Sequence, residues 1–295
     1  MMARVTVGIS YYNPGGFLRL AIQSVFAQSL QDWQLILIND GSTDDSPAFV
    51  RNISDSRVLS LDDGCDRGLS ARLNQIAAVA DSPFLSRMDA DDMMHPMRLE
   101  RQLAFMQKNH DVDVVGSHAF SIDVDNRPIG LLGDHPICRS PYDVFVRGCF
   151  VHPSVLGRTA WFKSHPYSEL YPRAQDVELW ARTVGDSTFR CIPEPLLFYR
   201  DVGVSQLKKY LASSAQMRTM VGSGQIVGMS RAQRFSVIGR SRAKDLAYVA
   251  MHAIGREEWL VRRRSRPLTT YQIQIAEAVL RKVLSTDIPE RKQKQ

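Results

Sequence analysis

The chain has 295 residues, 44% of them hydrophobic and 23% charged, and a formal net charge of +6. This composition is close to the globular average, which excludes wholesale disorder, and no apolar run approaches the roughly 20 residues that span a bilayer. The length suits one large domain plus an appendage. The start, Met1-Met2-Ala3-Arg4-Val5, lacks a signal-peptide core, and the cysteines at 65, 138, 149 and 191 show no zinc-type spacing, so a cytoplasmic protein with reduced thiols is expected. Charge is unevenly placed: residues 1–205 hold 19 Lys+Arg against 25 Asp+Glu, whereas 206–295 hold 18 against 6. The second region is therefore expected to face an anionic surface, with a solvated basic tail as the plainer reading.

In chain order, Val5–Ile9 is a short run rich in β-branched residues and reads as a strand. Leu18, Ile22 and Val25 then fall at helical spacing, and Leu35–Ile38 reads as a second strand. Val58–Leu61, Pro83–Met88 and Val112–Val115 read as further strands. Leu69, Leu73, Ile76 and Ala80 mark one intervening helix, and Leu99, Leu103 and Met106 another. Such alternation predicts an α/β fold, a mostly parallel, doubly wound sheet with helices on both faces and ligands beyond the carboxyl ends of its strands. From about 121 to 205 prolines interrupt the pattern and an irregular segment is expected. Residues 206–295 read as helical, through Ala232/Phe235/Ile238, Leu246/Val249/Ala253 and Ala276/Leu280/Leu284. The glycines of 222–228 lack nucleotide-loop spacing and read as a helix break.

The strand-end loops are polar: Ser10-Tyr11-Tyr12-Asn13-Pro14 after the first strand, and Asn39-Asp40-Gly41-Ser42-Thr43-Asp44 after the second. The fourth runs into Asp89-Ala90-Asp91-Asp92. Three carboxylates within four residues repel one another, and a divalent cation that takes hard oxygen ligands removes that penalty. A helix-capping turn is the bland alternative. Asp40 suits a base or ribose contact, although Asp-Gly also favours a plain turn. His110, His118 and His165 read as structural. Trp33, Trp161 and Trp180 read as core, with Trp180 close enough to Asp176 to serve as a sugar platform.

Taken together, these segments resemble the family 2 glycosyltransferases of the GT-A fold, over roughly residues 4–205. The matching pieces are Val7–Asn13, Asn39–Asp44, Arg67-Gly68-Leu69-Ser70-Ala71-Arg72-Leu73-Asn74, Met88–Asp92, His152-Pro153-Ser154-Val155, Gln175–Trp180 and Tyr199-Arg200, in the family's order and spacing. The resemblance implies a nucleotide-binding half at about 1–120, an acceptor-binding half at about 121–205 and a helical extension at 206–295. It implies that Ser10, Tyr12 and Asn13 line the nucleotide-sugar site, with Asp40 reading the base and Arg67 nearby. Asp89 would contact ribose or phosphates, Asp91 would hold Mn²⁺ or Mg²⁺ with His152 near the metal, and Asp176 would be the catalytic base. Such a site would invert the anomeric carbon of a sugar carried by a nucleotide diphosphate, a UDP-sugar being favoured. The expected acceptor is a saccharide, lipid-linked, in cell-surface polysaccharide synthesis. Two departures stand out: Asp201-Val202-Gly203-Val204-Ser205 follows Tyr-Arg where the family often carries a histidine, and Asn39 precedes Asp40 where two aspartates are common. A sugar nucleotidyltransferase would need a basic, Gly-rich first loop, which is absent here; a non-catalytic scaffold is at odds with intact Asp89, Asp91 and Asp176.

Arg262-Arg263-Arg264 and Arg266, beside Trp259-Leu260-Val261, suit the anionic cytoplasmic leaflet, so peripheral contact with the inner membrane is expected. Nucleic acid is not, because the basic residues lack interleaved aromatics.

Overall fold

The computed structural model describes residues 3–134, 137–201, 207–256 and 265–291. Strand and helix first alternate as the periodicity predicts: β1 (Val5–Tyr11), α1 (Phe17–Phe26), β2 (Trp33–Asn39), α2 (Ser46–Asn52), β3 (Val58–Asp62), α3 (Leu69–Val79) and β4 (Phe84–Arg87). In α1 the helical spacing of Leu18, Ala21, Ile22 and Val25 makes one fully buried face. Each of the larger side chains there stabilises the fold by about 1.5–3 kcal/mol relative to exposure. In β2 the alternation of a strand divides the core: Leu35 and Leu37 join the cluster under α1, and Ile36 and Ile38 join the cluster of α3 on the opposite face.

The described residues of the segment expected to be irregular form regular elements. After β5 (Met93–Met94) and α4 (Arg98–Lys108) come β6 (Val114–Ile122), β7 (Pro128–Leu132), α5 (Pro141–Arg147), a 3₁₀ turn (His152–Ser154), β8 (Leu156–Arg158), α6 (Thr159–Ser164), α7 (Gln175–Thr183) and β9 (Phe189–Arg200). Pro193 and Pro195 hide β9 from a propensity reading. The ladder accommodates them by shifting register, so that Ser117 pairs with Ile192 and His118 with Pro195. Prolines in strands sit at such irregularities because they cannot donate to the ladder.

The sheet order is β3-β2-β1-β4-β8-β6-β9-β5, with β7 also on β6. The first four strands are parallel, as expected, and β9 runs parallel to β6. β8 is antiparallel to both β4 and β6, and β7 and β5 are also antiparallel to their neighbours, which makes the second half mixed.

Among the described residues three helices follow: α8 (Leu207–Ser223), α9 (Arg231–Ala253) and α10 (Thr270–Leu284). The glycine-rich stretch does break α8 from α9, and Ser230 with Gln233 forms a capping box that starts the second helix. α10 docks Ala276, Leu280 and Val283 onto Met93, Phe120, Ile122 and Phe198 of the sheet. The Leu246/Val249 stripe of α9 is helical, as its spacing predicts. It faces outward, with Leu246 72% exposed. Among the described residues no helix is long and apolar enough to cross a membrane. Arg262, Arg263, Arg264 and Trp259-Leu260-Val261 lie outside the described residues, as do Val202–Ser205.

Candidate active site

The loops after β1 and β2 are latched to each other. Asn13 Oδ1 accepts from the Thr43 and Asp44 amides at 2.7 and 3.2 Å, its own amide donates to Ser42 Oγ at 3.0 Å, and the Gly15 amide donates to Asp44 Oδ2 at 2.9 Å. Asn39 Oδ1 accepts from the Ser42 amide at 2.9 Å, which fixes the turn that exposes Asp40's loop. Gly41 has φ +77, and a Cβ there would lie 3.0 Å from the Asp66 amide nitrogen, so glycine is required by both conformation and space. Ser10, one residue before the end of β1, is half-buried, while Tyr12, just past the strand, is exposed.

Asp40 is buried, and its Oδ1 accepts from Arg72 Nε and from the Arg67 amide, both at 2.8 Å. The guanidinium that reaches Asp40 is therefore that of Arg72, while the Arg67 side chain is exposed and pairs with Asp63 at 3.0 Å. Arg72 is fully buried and also bonds Asp63 at 2.7 Å and Gln75 at 2.8 Å. Its guanidinium holds the Asp63 carboxyl well below the usual carboxylate range. Asn74, from the same motif, exchanges two hydrogen bonds with the Tyr167 backbone at 2.8 and 2.9 Å. That latch places Tyr167 Oη 2.9 Å from His152 Nε2.

At the end of β4, Asp89, Asp91 and Asp92 bring ligand oxygens within 4.8 Å of one another. Burial, and then the Asp89 charge, push the Asp91 carboxyl up. Burial with the Asp89 and Asp91 charges pushes Asp92 well above its ordinary value. Asp92 Oδ1 accepts from the Arg200 amide at 2.8 Å, but Oδ2 is buried without a partner. Asp92 caps no helix, since β5 intervenes before α4. This donor set of hard, mutually repelling oxygens with one buried orphan fits Mg²⁺ or Mn²⁺. His152 is not in the cluster. It is buried on the 3₁₀ turn, engaged with Tyr167, and burial and the nearby Arg87 push its pKa well below the ordinary value.

Two arginines that motif reading left without a role organise this centre. Arg200, at the end of β9, donates to the Asp91 carbonyl, the Asp123 carbonyl and Asn126 Oδ1 at 2.8, 2.8 and 2.7 Å, and so clamps the carboxylate loop. Arg87 is 5% exposed and pairs with Asp89, yet its Nε and Nη1 have no partner. Its charge reaches Asp91, Asp92, His152, Tyr167 and Asp176. A sequence signal existed, a cation two residues before the acidic cluster, but burial in the site cannot be read from it.

Asp176 lies in the first turn of α7, whose N-cap is Ala174. Burial raises its pKa, opposed by the Val177 amide and Arg87 and reinforced by Asp89. Asp176 therefore lies within electrostatic reach of Arg87 and Asp89, although about ninety positions separate it from the acidic cluster in sequence. Such an arrangement gives a carboxylate poised as a proton acceptor next to a cation-binding acidic wall. Trp180 is not a platform: it is buried against Phe150, Trp161 and Phe189, with ring centroids 5.0–6.0 Å away.

The family model for glycosyl transferase family 2 matches residues 6–171. A curated relative is the UDP-Glc:alpha-D-GlcNAc-diphosphoundecaprenol beta-1,3-glucosyltransferase WfgD of Escherichia coli, 26% identical over 191 residues, 64% of this chain and 72% of that protein. Among solved structures, S. aureus TarS 1-349 in complex with UDP-GlcNAc superposes with a TM-score of 0.59 at 13% identity, over 83% of this chain and 73% of that one. Mannosyltransferase PcManGT from Pyrobaculum calidifontis, in complex with GDP-Man and Mn²⁺, gives 0.56 at 13% identity over 96% and 86%. The matched region holds both polar strand-end loops, the Asp89–Asp92 cluster and His152, and the sheet is that of the GT-A neighbours. This chain belongs to glycosyl transferase family 2 and is a transferase built on the GT-A fold.

Proposed function

We propose that the chain transfers a sugar, with inversion, from a nucleotide diphosphate to a lipid-linked saccharide in cell-surface polysaccharide synthesis, with a divalent cation bound. The observation that carries this reading is that the charges of Asp89 and of the half-satisfied Arg87 reach both Asp176 and the Asp89–Asp91–Asp92 cluster. Asp176 would take the proton of the acceptor hydroxyl as its oxygen bonds to the anomeric carbon. The bond from that carbon to the diphosphate oxygen breaks, and the electron pair leaves with the nucleotide. One displacement of this kind inverts the centre. Asp91, with Asp89 and Asp92, would hold Mn²⁺ or Mg²⁺, which supplies charge neutralisation for the departing diphosphate. Arg87 Nε and Nη1 are donors for the same developing charge. Asp40, held by Arg72, would contact the base, with Ser10, Tyr12 and the Arg67 loop around it.

A UDP-sugar is the favoured donor, supported by the UDP-Glc of WfgD and the UDP-GlcNAc of TarS, with the GDP-Man of PcManGT as the competing base. WfgD also supports a diphosphate-lipid acceptor. Residues 1–205 are proposed to carry the chemistry, and the basic 206–295 region to bring it to the cytoplasmic face of a membrane. Thermal-shift screening of UDP and GDP with Mn²⁺ or EDTA, followed by NMR of the anomeric proton of the product, tests the reading. It predicts a metal-dependent shift, largest with UDP, and an inverted product; a retained anomeric configuration rules out single displacement.

A further inference from the structure

A groove away from the carboxylate cluster is walled by both regions of the chain. Phe145 of α5 and Val177 of α7 form one side, Met217 of α8 and Val237 of α9 the other, and they enclose about 460 Å³. That volume suits a small-molecule site. Arg173, Arg240 and Lys244 also line it, and no carboxylate does. None of these three cations has an ion-pair partner among the described residues, although Arg182, Arg218 and Arg147 nearby are all paired. The polar floor is already satisfied: Ser214 Oγ lies 2.9 Å from Ser241 Oγ and donates to Asp245 Oδ1 at 2.7 Å. A ligand here therefore gains from apolar contact and anion neutralisation rather than from a network of sugar hydroxyl bonds. Ala174 and Val177 both line the groove, so it is built in part on the first turn of α7, the turn that also carries Asp176.

We infer that this groove receives the diphosphate and first isoprenoid units of the acceptor, with the diphosphate against Arg173, Arg240 and Lys244 and the hydrocarbon over Phe145, Val177 and Met217. The inference rests on the lipid-linked acceptor proposed above. An apolar trough whose lining cations have no ion-pair partner among the described residues, with Asp245 behind its serine floor already neutralised by Arg218, is complementary to an anionic head on an apolar chain. It also gives α8 and α9 a function in acceptor delivery: without them the trough has one wall.

Calorimetric titration of the full-length chain with farnesyl diphosphate tests it, using wild type, Arg240→Ala/Lys244→Ala and Ala243→Trp. These positions are exposed, so the variants are expected to fold, and Mn²⁺-dependent UDP binding serves as the control. The expected result is saturable binding that UDP does not displace, with each variant weakened by about tenfold or more, the scale of one lost charge-assisted contact. UDP binding should not change. Equal binding by the variants, displacement by UDP, or equally tight binding of inorganic pyrophosphate would each overturn the groove assignment. A transfer assay separates this from the acceptor reading. If both variants glycosylate a lipid-linked acceptor at the wild-type rate, the groove falls and the acceptor stands. If the variants lose farnesyl diphosphate while wild type uses only free saccharides, the acceptor reading falls and the groove stands as an isoprenoid-diphosphate site.

Discussion

Replacing Asp92 with asparagine should stabilise the metal-free protein. Asparagine retains an oxygen for the Arg200 amide, now bonded to Asp92 Oδ1 at 2.8 Å, and replaces the buried, partnerless Oδ2, repelled by Asp89 and Asp91, with an uncharged donor that has those carboxylates as acceptors. Leaving such a group unsatisfied costs about 1–3 kcal/mol. With a Tm change of about 2–4 °C per kcal/mol for a chain of this order, the variant should melt roughly 2–12 °C above wild type in EDTA. The sign follows from linkage. The folded-state pKa of Asp92 is raised, so the folded protein binds the proton more tightly than the unfolded chain, and its stability falls as pH rises between the two values. The advantage of the asparagine variant should therefore grow from acid toward neutral pH. Adding Mn²⁺ should reverse the ranking, because wild type gains stability by mass action and the variant loses a carboxylate from the site. Differential scanning fluorimetry at several pH values, with EDTA and with Mn²⁺, reads all of this. An Asp92→Asn protein that melts below wild type in EDTA at neutral pH would refute the reasoning.

Arg72→Met should lower the unfolding free energy by about 3–5 kcal/mol in urea titrations, because it strands buried Asp40 without its cation. An unchanged midpoint contradicts the assignment of Arg72 as the partner of Asp40. The transfer rate should fall on acidification through the raised pKa of Asp176, since only the carboxylate accepts a proton. Arg87→Met removes a charge that holds this pKa down, so the acid limb of the pH–rate profile should move to higher pH. A limb that stays in place would show that Arg87 does not act on Asp176.

The alternating first third was legible because amphipathic helices and buried strands leave opposite periodicities, as α1 and β2 illustrate. β9 was not: Pro193 and Pro195 read as breaks, and only the register shift against β6 reconciles them with a strand. The Asp89–Asp92 cluster could be found locally because its chemistry is contiguous. The motif Arg67–Asn74 was visible, yet which arginine meets Asp40 depends on the helical turn that carries Arg72 inward and leaves Arg67 at the surface. The roles of Arg87 and Arg200 were not legible for a similar reason: they come from burial and from contacts that the local motif does not show. The outward Leu246 and Val249 keep the spacing of a core stripe, since spacing reports a helix but not what covers it.

The central claim is that Asp176 accepts the proton in a displacement whose donor is held elsewhere in the site. Asp176→Asn separates these functions, and both can be measured on one preparation: sugar transfer by product formation, and nucleotide binding by Mn²⁺-dependent titration. Transfer is expected to fall by about 10²–10⁴-fold, with nucleotide affinity essentially unchanged. Transfer by Asp176→Asn at the wild-type rate would contradict the claim.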